Sequence, residues 1–302
     1  MKPTIALLRS VLLTDFPSGS SINYYNGKLY LIGDDANNLL VLDNSYQQVD
    51  SIPLFDFPVK RIPKSQKADF ETSTLIEVDG VMKILILGSA SREERKKAIL
   101  LPIMNPDPDK NKPFLPFFYN APFFEQLRAR DIEEINIEGA TTIGDNLILG
   151  NRGNTANPKN HLILINNVFS KTQSKAVFFV SKLVQPVQLP GFAGVSELCY
   201  IESKDILLFT FSSETTTNSY DDGAIGNSYL GWIYDATHKL QYPELILDEI
   251  INLPDIDKDF ENEKIEGICV EAVNGNELIL HLVSDNDGGE SKLFNVKVVL
   301  PA

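Results

Sequence analysis

The sequence lacks the features by which several classes of protein are recognised. It carries a formal net charge of −14 and a pI near 4.7, so the basic surface that binds nucleic acid or an anionic membrane is missing. Its two cysteines, Cys199 and Cys269, each lie inside an apolar run, which indicates buried thiols rather than a disulfide framework. No segment approaches the ~20 consecutive apolar residues of a membrane-spanning helix.

Short motifs of catalysis and cofactor binding are missing as well. The phosphate loop G-x-x-x-x-G-K-[ST] and the dinucleotide fingerprint do not occur. The three histidines, His161, His238 and His281, fall in different parts of the chain, which gives a zinc site or a His-based triad little support. Arg9 interrupts the N-terminal apolar stretch before it reaches the length of a signal-peptide core. We expect a cytoplasmic monomer, with a periplasmic or secreted location as the alternative if a signal has been removed.

The sequence does contain an internal repeat with five copies. Each copy has a short strand-like run, a turn with Gly, Asn or Asp, a strongly apolar run, a polar loop and a further apolar run. Such runs separated by hairpin turns predict antiparallel sheets. The spacing of the copies is too long for a solenoid coil and suits propeller blades with insertions. The first strands of the copies begin at Ser20, Glu71, Glu138, Ser196 and Glu266.

We therefore predict an all-β fold in which residues 1–302 form a single five-bladed β-propeller, with six blades as the alternative. Outer strands are predicted in "QQVDSIPLFDFP", "AVFFVSKLVQPVQLP" and "ELILDEIINLP". The last repeat has no outer strand of its own, and the N-terminal "IALLRSVLLTDFP" can supply one. This strand would complete the fifth blade, close the ring and remove its exposed edges. A short helix is predicted over 121–134, between blades two and three.

The starts of the innermost strands of a propeller gather at one mouth of the central channel. Carboxylates crowded there repel one another and raise each other's pKa unless a cation neutralises them. Calcium is the expected cation because it takes oxygen ligands in flexible geometry. The predicted ligands are Ser20, Glu71, Glu138, Ser196 and Glu266. The alternative is that each Glu-Gly pair only suits a tight entry into a strand, with its carboxylate facing solvent or capping backbone N–H groups.

Loops on the same face form a polar rim. Arginines there could meet a small anionic ligand such as a phosphate or carboxylate, and the candidates are Arg92, Arg95 and Arg152. Acidic rim residues could bind a second metal or position water, and these are Asp34, Asp35, Glu214, Asp285 and Asp287. For each of them the alternative is a solvated loop residue.

Two stretches, "YNGKLYLIGDD" and "KIEGICV", resemble the first-blade hairpin and the last-blade strand of calcium-activated nucleotidases, the soluble apyrases. The order of the five residues at the strand starts also resembles the side chains around the calcium ion of that family. The resemblance implies an axial calcium, a water- or metal-organising role for Asp34 and Asp35, and phosphate binding by Arg92 and Arg152. The stretch rich in Trp and basic residues that follows the first blade in that family is replaced here by "RIPKSQKADFE". The chain is equally similar to phytase-like and esterase-like bacterial propellers.

Three functions are therefore considered. The first is a calcium-dependent phosphohydrolase, nucleotidase-like or phytase-like, that acts at the channel mouth. The second is a non-enzymatic module that binds a ligand or a partner and uses calcium as a structural staple. The third is a glycoside hydrolase with a pair of glutamates, but aromatic platforms for sugar rings are not found near the strand starts.

Overall fold

The computed structural model describes residues 3–59, 61–103, 119–166, 177–215, 223–286 and 288–301. Within these ranges the chain forms five sheets, arranged as the blades of a five-bladed β-propeller. The predicted fold class is confirmed. No helix among the described residues has the length and apolarity needed to cross a bilayer.

In each blade the first strand lies at the channel axis and the last at the outer edge. Blade 1 contains β2 (Gly19–Tyr25), β3 (Lys28–Gly33), β4 (Asn38–Asp43) and β5 (Gln48–Pro53). Blade 2 contains β6 (Phe70–Val78), β7 (Val81–Gly88) and β8 (Ala98–Pro102). Blade 3 contains β9 (Ile137–Ile143), β10 (Asn146–Asn151), β11 (Asn160–Asn166), β12 (Val177–Val184) and β16 (Glu244–Ile246). Blade 4 contains β13 (Ala193–Ile201), β14 (Ile206–Glu214), β15 (Ile225–Tyr234) and β17 (Glu249–Asn252). Blade 5 contains β18 (Lys264–Asn274), β19 (Glu277–Asp285), β20 (Ser291–Val299) and β1 (Thr4–Leu13).

The N-terminal strand closes the ring as predicted. β1 pairs antiparallel with β20, from Thr4 opposite Val299 to Leu13 opposite Ser291. Both ends of the chain therefore contribute to blade 5, and the edge of β20 is covered.

Hairpin turns set the register of the inner strands. Asn26 and Gly27 join β2 to β3 with φ of 48° and 75°, and Asp79 and Gly80 join β6 to β7 with φ of 54° and 74°. Positive φ at both central residues is the signature of type I′ turns, whose twist matches that of the flanking strands. Asn-Gly and Asp-Gly are the pairs that adopt this backbone most readily.

The hydrophobic core lies between neighbouring blades. One cluster joins Leu85 and Leu87 of blade 2 to Ile163 and Ile165 of blade 3. The helix α1 (Ala121–Arg128) adds Phe123, Phe124 and Leu127 to the same cluster. The predicted helix between blades two and three is therefore present, but it ends at Arg128, and the segment to residue 134 is not helical.

The segment predicted as the outer strand of blade 4 is divided between two blades. Its first part, β16, pairs in parallel with β12 of blade 3. Its second part, β17, pairs antiparallel with β15 of blade 4. The backbone N–H of Leu247 donates to the carbonyl of Val184 of blade 3, and that of Asp248 donates to the carbonyl of Trp232 of blade 4. A second helix, α2 (Ala236–Lys239), precedes this segment.

A chain of hydrogen bonds fastens blade 1 to blade 5. The hydroxyl of Tyr46 lies 2.7 Å from Nδ1 of His281, and Nε2 of His281 lies 2.9 Å from a carboxylate oxygen of Glu271. Arg9 donates to the carbonyl of Ser45 in the same turn as Tyr46. Burial lowers the pKa of His281, although Glu271 opposes the shift. Burial thus favours the neutral ring, which accepts at one nitrogen while donating at the other.

Candidate functional site

The five residues predicted at the strand starts occupy equivalent positions in the five blades. In every inner strand the pairing register shifts at that residue, which is left unpaired in a β-bulge, and the five bulged residues are Ser20, Glu71, Glu138, Ser196 and Glu266. A bulge turns a side chain away from the regular alternation of a strand. The repeat alignment therefore identifies one ring of residues at one mouth of the channel, here called the mouth ring.

The two serines of the mouth ring bridge neighbouring blades. Ser20 Oγ donates to the carbonyl of Phe70 at 2.6 Å, and Ser196 Oγ donates to the carbonyl of Ile265 at 2.7 Å. Both side chains are fully buried. In its shorter hydrogen bond, each hydroxyl donates to a backbone carbonyl of the next blade.

On one side of the ring, Glu138 and Glu266 lie beside basic groups. Lys264 Nζ is 2.8 Å from Glu266 Oε1 and 3.6 Å from Glu214, and Arg152 lies 3.8 Å from Glu138 and 3.7 Å from Glu214. Burial raises the pKa of Glu266 to about 8, helped by the charge of Glu138, although Lys264 opposes the shift. Burial lowers the pKa of Lys264, but Glu266 and Glu214 outweigh this effect and raise it well above its ordinary value.

The guanidinium of Arg152 is hydrogen-bonded within the protein. Its guanidinium donates to the hydroxyl of Ser212 at 2.8 Å and to the carbonyl of the same residue at 3.1 Å. Its side chain is almost fully buried. The structure thus places Arg152 at the mouth, but as a bridge between blades 3 and 4.

On the other side of the ring, three carboxyl groups converge. One oxygen each of Asp34, Asp69 and Glu71 lie within 4.8 Å of one another. We call these three residues the acidic sector. Burial, then the charges of Asp69 and Glu138, raise the pKa of Glu71 well above its ordinary value. Burial likewise raises the pKa of Asp34 to about 7, with Asp285, Asp35 and Asp69 adding to the shift and Lys67 opposing it.

Basic groups reach the acidic sector from two directions. Lys67 Nζ contacts a carboxylate oxygen of Asp34 and lies 3.1 Å from Asp69. Arg95 Nη1 donates to Asp69 at 2.7 Å, and the Ser89 hydroxyl donates to the same oxygen. Arg95 is buried, whereas the predicted phosphate-binding residue Arg92 is exposed at the start of a short 3₁₀ helix. The arginine that reaches the mouth from this loop is therefore Arg95.

A cavity of about 320 Å³ opens beside the acidic sector. Its wall includes both predicted rim aspartates, Asp34 and Asp35, together with Arg61, Lys64 and Asp285. Arg61 forms an ion pair with one oxygen of Asp35. The other oxygens, Asp34 Oδ1 and Asp35 Oδ1, are buried and have no hydrogen-bond partner among the described residues. The predicted rim residue Asp287 lies outside the described residues.

One buried carboxyl group that sequence reasoning missed lies directly below the mouth ring. Glu197 is 1% exposed, and its Oε1 accepts from the Thr72 hydroxyl and from the backbone N–H groups of Ala140 and Leu198, at 2.8 to 2.9 Å. Its Oε2 accepts from the Ser21 hydroxyl at 2.5 Å. These donors belong to the inner strands of blades 1, 2, 3 and 4, so the Glu197 carboxyl group lies at the channel axis.

The glycine of each Glu-Gly pair has a packing role. A methyl group on Gly139 would lie 2.9 Å from Leu198 Cγ and 3.2 Å from Glu197 Cα. One on Gly267 would lie 3.0 Å from Ser21 Cα and 2.9 Å from the backbone nitrogen of Ile22. Glycine therefore allows the inner strands of adjacent blades to approach at the axis. The glutamates that precede these glycines, Glu138 and Glu266, belong to the mouth ring.

The chain is similar to several solved structures at low sequence identity. The crystal structure of Myxococcus xanthus glutaminyl cyclase is 12% identical, with a TM-score of 0.56, and the similarity covers 100% of this chain and 99% of that one. A member of the DUF4221 family from Bacteroides vulgatus is 10% identical, with a TM-score of 0.45 and 99% of each chain covered. Streptogramin B lyase is 11% identical, with a TM-score of 0.40, over 100% of this chain and 99% of that one. At 12% identity, the likeness to the glutaminyl cyclase shows the fold alone.

A search of curated proteins found no match. Residues 15–298 match the family described as "Family of unknown function (DUF6929)", which covers nearly the whole propeller, and the chain belongs to this family.

Proposed function

We propose that the channel mouth binds a hard divalent cation, calcium, in the acidic sector formed by Asp34, Asp69 and Glu71. The observation that carries the proposal is the convergence of three carboxyl oxygens within 4.8 Å. Within this group, the Oδ1 atom of Asp34 is buried and has no hydrogen-bond partner among the described residues. A buried carboxylate oxygen without a donor is unfavourable, and a cation would satisfy it.

The charge balance of the sector supports a cation. The raised pKa values of Asp34 and Glu71 mean that the nearby ammonium and guanidinium groups do not fully compensate the buried carboxylates. Protons or a metal ion can complete the compensation, and a metal that enters must displace protons. The donors of the sector are oxygen atoms, which calcium prefers and zinc does not.

The proposed site differs from the five-ligand calcium site predicted from the sequence. Glu71 is the one residue that belongs to both sites. Glu138 and Glu266 lie beside Arg152 and Lys264, and the hydroxyl protons of Ser20 and Ser196 bond to backbone carbonyls. In this proposal Glu138 acts by its negative charge on the sector, as its effect on the pKa of Glu71 indicates.

With the cation bound, the adjoining cavity would take a small anionic ligand as substrate, because its three acidic side chains are matched by Arg61, Lys64 and Lys67 before the ion adds its charge. Arg61 and Lys64 line its wall, facing the same space as Asp34 and Asp35. Calcium supplies Lewis acidity toward a phosphoryl oxygen when it is bound. Arg61 and Lys64 would hold the phosphate by charge. Asp35, whose Oδ1 has no hydrogen-bond donor among the described residues, would orient a water molecule. The activity proposed for the site is therefore hydrolysis of a phosphoric ester or anhydride.

Calcium titration of metal-free protein tests the cation site. Calorimetry should show one site in the wild type and none in Glu71→Gln, and calcium should raise the melting temperature of the wild type but not that of Glu71→Gln. Glu77→Gln is the matched control, because Glu77 is an exposed glutamate on the same strand, and its titration should equal that of the wild type. Absence of calcium binding by the wild type, or undiminished binding by Glu71→Gln, would refute the site.

A panel of nucleotides and phytate, assayed for phosphate release with calcium or with chelator, tests the activity. Calcium-dependent turnover that falls in Asp35→Asn supports the hydrolase. If the wild type binds calcium and gains thermal stability without turnover of any compound in the panel, the result favours the non-enzymatic alternative, in which calcium is a structural ion.

A further inference from the structure

Among the described residues, no other side chain at the channel axis makes hydrogen bonds to as many blades as Glu197 does. Its two carboxyl oxygens accept from Ser21 of blade 1, Thr72 of blade 2, the N–H of Ala140 of blade 3 and its own neighbour Leu198 of blade 4. Neighbouring inner strands of a propeller are not joined by backbone ladders, so side chains must fix their relative positions. One carboxyl group does so here for four strands.

The contacts lie immediately below the mouth ring. Ser21 follows Ser20, Thr72 follows Glu71, and Glu197 itself follows Ser196. Each of these pairs spans the point at which the strand register shifts. A displacement of Thr72 therefore moves Glu71 with it, because the two residues share a peptide bond.

The other positions at this level of the channel leave space for the carboxyl group. The residues equivalent to Glu197 in the other blades are small or hydroxyl-bearing: Ser21, Thr72, Gly139 and Gly267. Gly139 lies so close to Glu197 Cα that an added methyl group would stand 3.2 Å away. The layer thus has one large acidic side chain surrounded by groups that donate to it or make room for it.

We propose that Glu197 is the positioning residue of the channel mouth: its carboxyl group clamps the inner strands of four blades and thereby fixes the spacing of the acidic groups above it. In many proteins, removal of the groups that orient metal ligands weakens metal binding by about 10- to 100-fold. The expectation that loss of the Glu197 carboxyl group weakens calcium binding rests on the function proposed above. The clamp between the four inner strands does not depend on that function.

Hydrogen exchange followed by mass spectrometry tests the clamp without any metal. In Glu197→Ala, amide exchange should accelerate about tenfold or more in the inner strands of blades 1, 2, 3 and 4 together, which corresponds to a local loss of about 1.4 kcal/mol. Glu197→Gln should stay close to the wild type, because its amide oxygen can still accept the three bonds made to Oε1. Acceleration confined to blade 4 in Glu197→Ala would overturn the proposal.

Two further variants keep the test decisive. Ser181→Ala is the matched control, because Ser181 is a buried hydroxyl that donates to the carbonyl of Tyr242 in the outer part of blade 3, and its effect should remain there. If Glu197→Ala does not fold, Thr72→Val removes one donor while keeping the side-chain shape. It should then accelerate exchange in both β6 and β13, and an effect in β6 alone would refute the clamp.

Calcium affinity then separates this inference from the proposed function. If the wild type binds calcium, Glu197→Ala should bind it about tenfold more weakly and Glu197→Gln almost normally. Equal affinity in folded Glu197→Ala would contradict the positioning role. If the wild type binds no calcium while the exchange pattern spans four blades, the clamp stands and the calcium site falls.

Discussion

The protonation state of Glu197 can be tested by the pH dependence of stability. Two effects oppose each other at this residue: burial favours the neutral carboxylic acid, and four hydrogen-bond donors favour the carboxylate. Burial is the larger effect and raises the pKa of Glu197 to about 8. In the neutral form, the O–H on Oε2 can donate to Ser21, whose own proton can turn to Ser73 Oγ, 2.9 Å away.

The sign and size of the effect follow from proton linkage. In the folded protein the pKa of Glu197 is about 8, compared with 4.5 for a free glutamate, so the folded state holds a proton that the unfolded state releases. The contribution to stability is fully present below pH 4.5 and is lost as the pH rises toward 8. The free energy of unfolding should fall by about 1.4 kcal/mol per pH unit within this window because of this one group.

Urea denaturation of the wild type and Glu197→Gln at several pH values isolates this group. Glutamine resembles the neutral acid and does not titrate, while the other titratable groups are common to both proteins. The wild type should lose stability relative to Glu197→Gln by about 1.4 kcal/mol for each unit between pH 5 and 8. Parallel profiles would show that Glu197 has no raised pKa, and a gain of wild-type stability with pH would show that the hydrogen bonds outweigh burial.

Two further predictions concern the packing of the ring. Gly139→Ala should lower the free energy of unfolding by about 1 to 3 kcal/mol, because the new methyl group would stand 2.9 Å from Leu198 Cγ. Gly191→Ala is the control, because its methyl group would meet no atom of the described residues within 4 Å. Equal denaturation midpoints for the two variants would contradict the close approach at Gly139. Deletion of residues 1–13 removes β1 and exposes the edge of β20. We therefore expect self-association in concentration-dependent gel filtration and a lower melting temperature. A variant that stays monomeric with an unchanged melting temperature would show that closure of the ring by β1 is dispensable.

Much of the architecture could be predicted because each blade repeats the same local signals. The turns Asn26-Gly27 and Asp79-Gly80 lie between apolar runs, and this pattern indicates hairpins without knowledge of the fold. The terminal blade lacked an outer strand, and the N-terminus offered one of the right composition. Alignment of the repeats also found the bulged residues, since Glu71, Glu138 and Glu266 stand at matching positions near the starts of their strands.

The parts that could not be predicted do not repeat. Glu197 has no acidic equivalent in the other blades and stands in the run "VSELCYI", where its neighbours indicate only a buried strand. Asp69 and Lys67 precede their repeat, in a connecting segment without periodicity. Which basic group meets which acid, as in the pair Lys264 and Glu266, depends on side-chain directions at the bulges, and the linear pattern does not specify them.

The strap formed by residues 244–252 links the stability of two blades. It gives one strand to blade 3 and the next to blade 4, so the boundary between these two blades in space does not coincide with a boundary along the chain. A blade 3 moved alone into another ring would lose β16, and a blade 4 moved alone would leave β16 without its partner. Grafting either blade alone should therefore cost stability, whereas grafting the two together keeps both pairings.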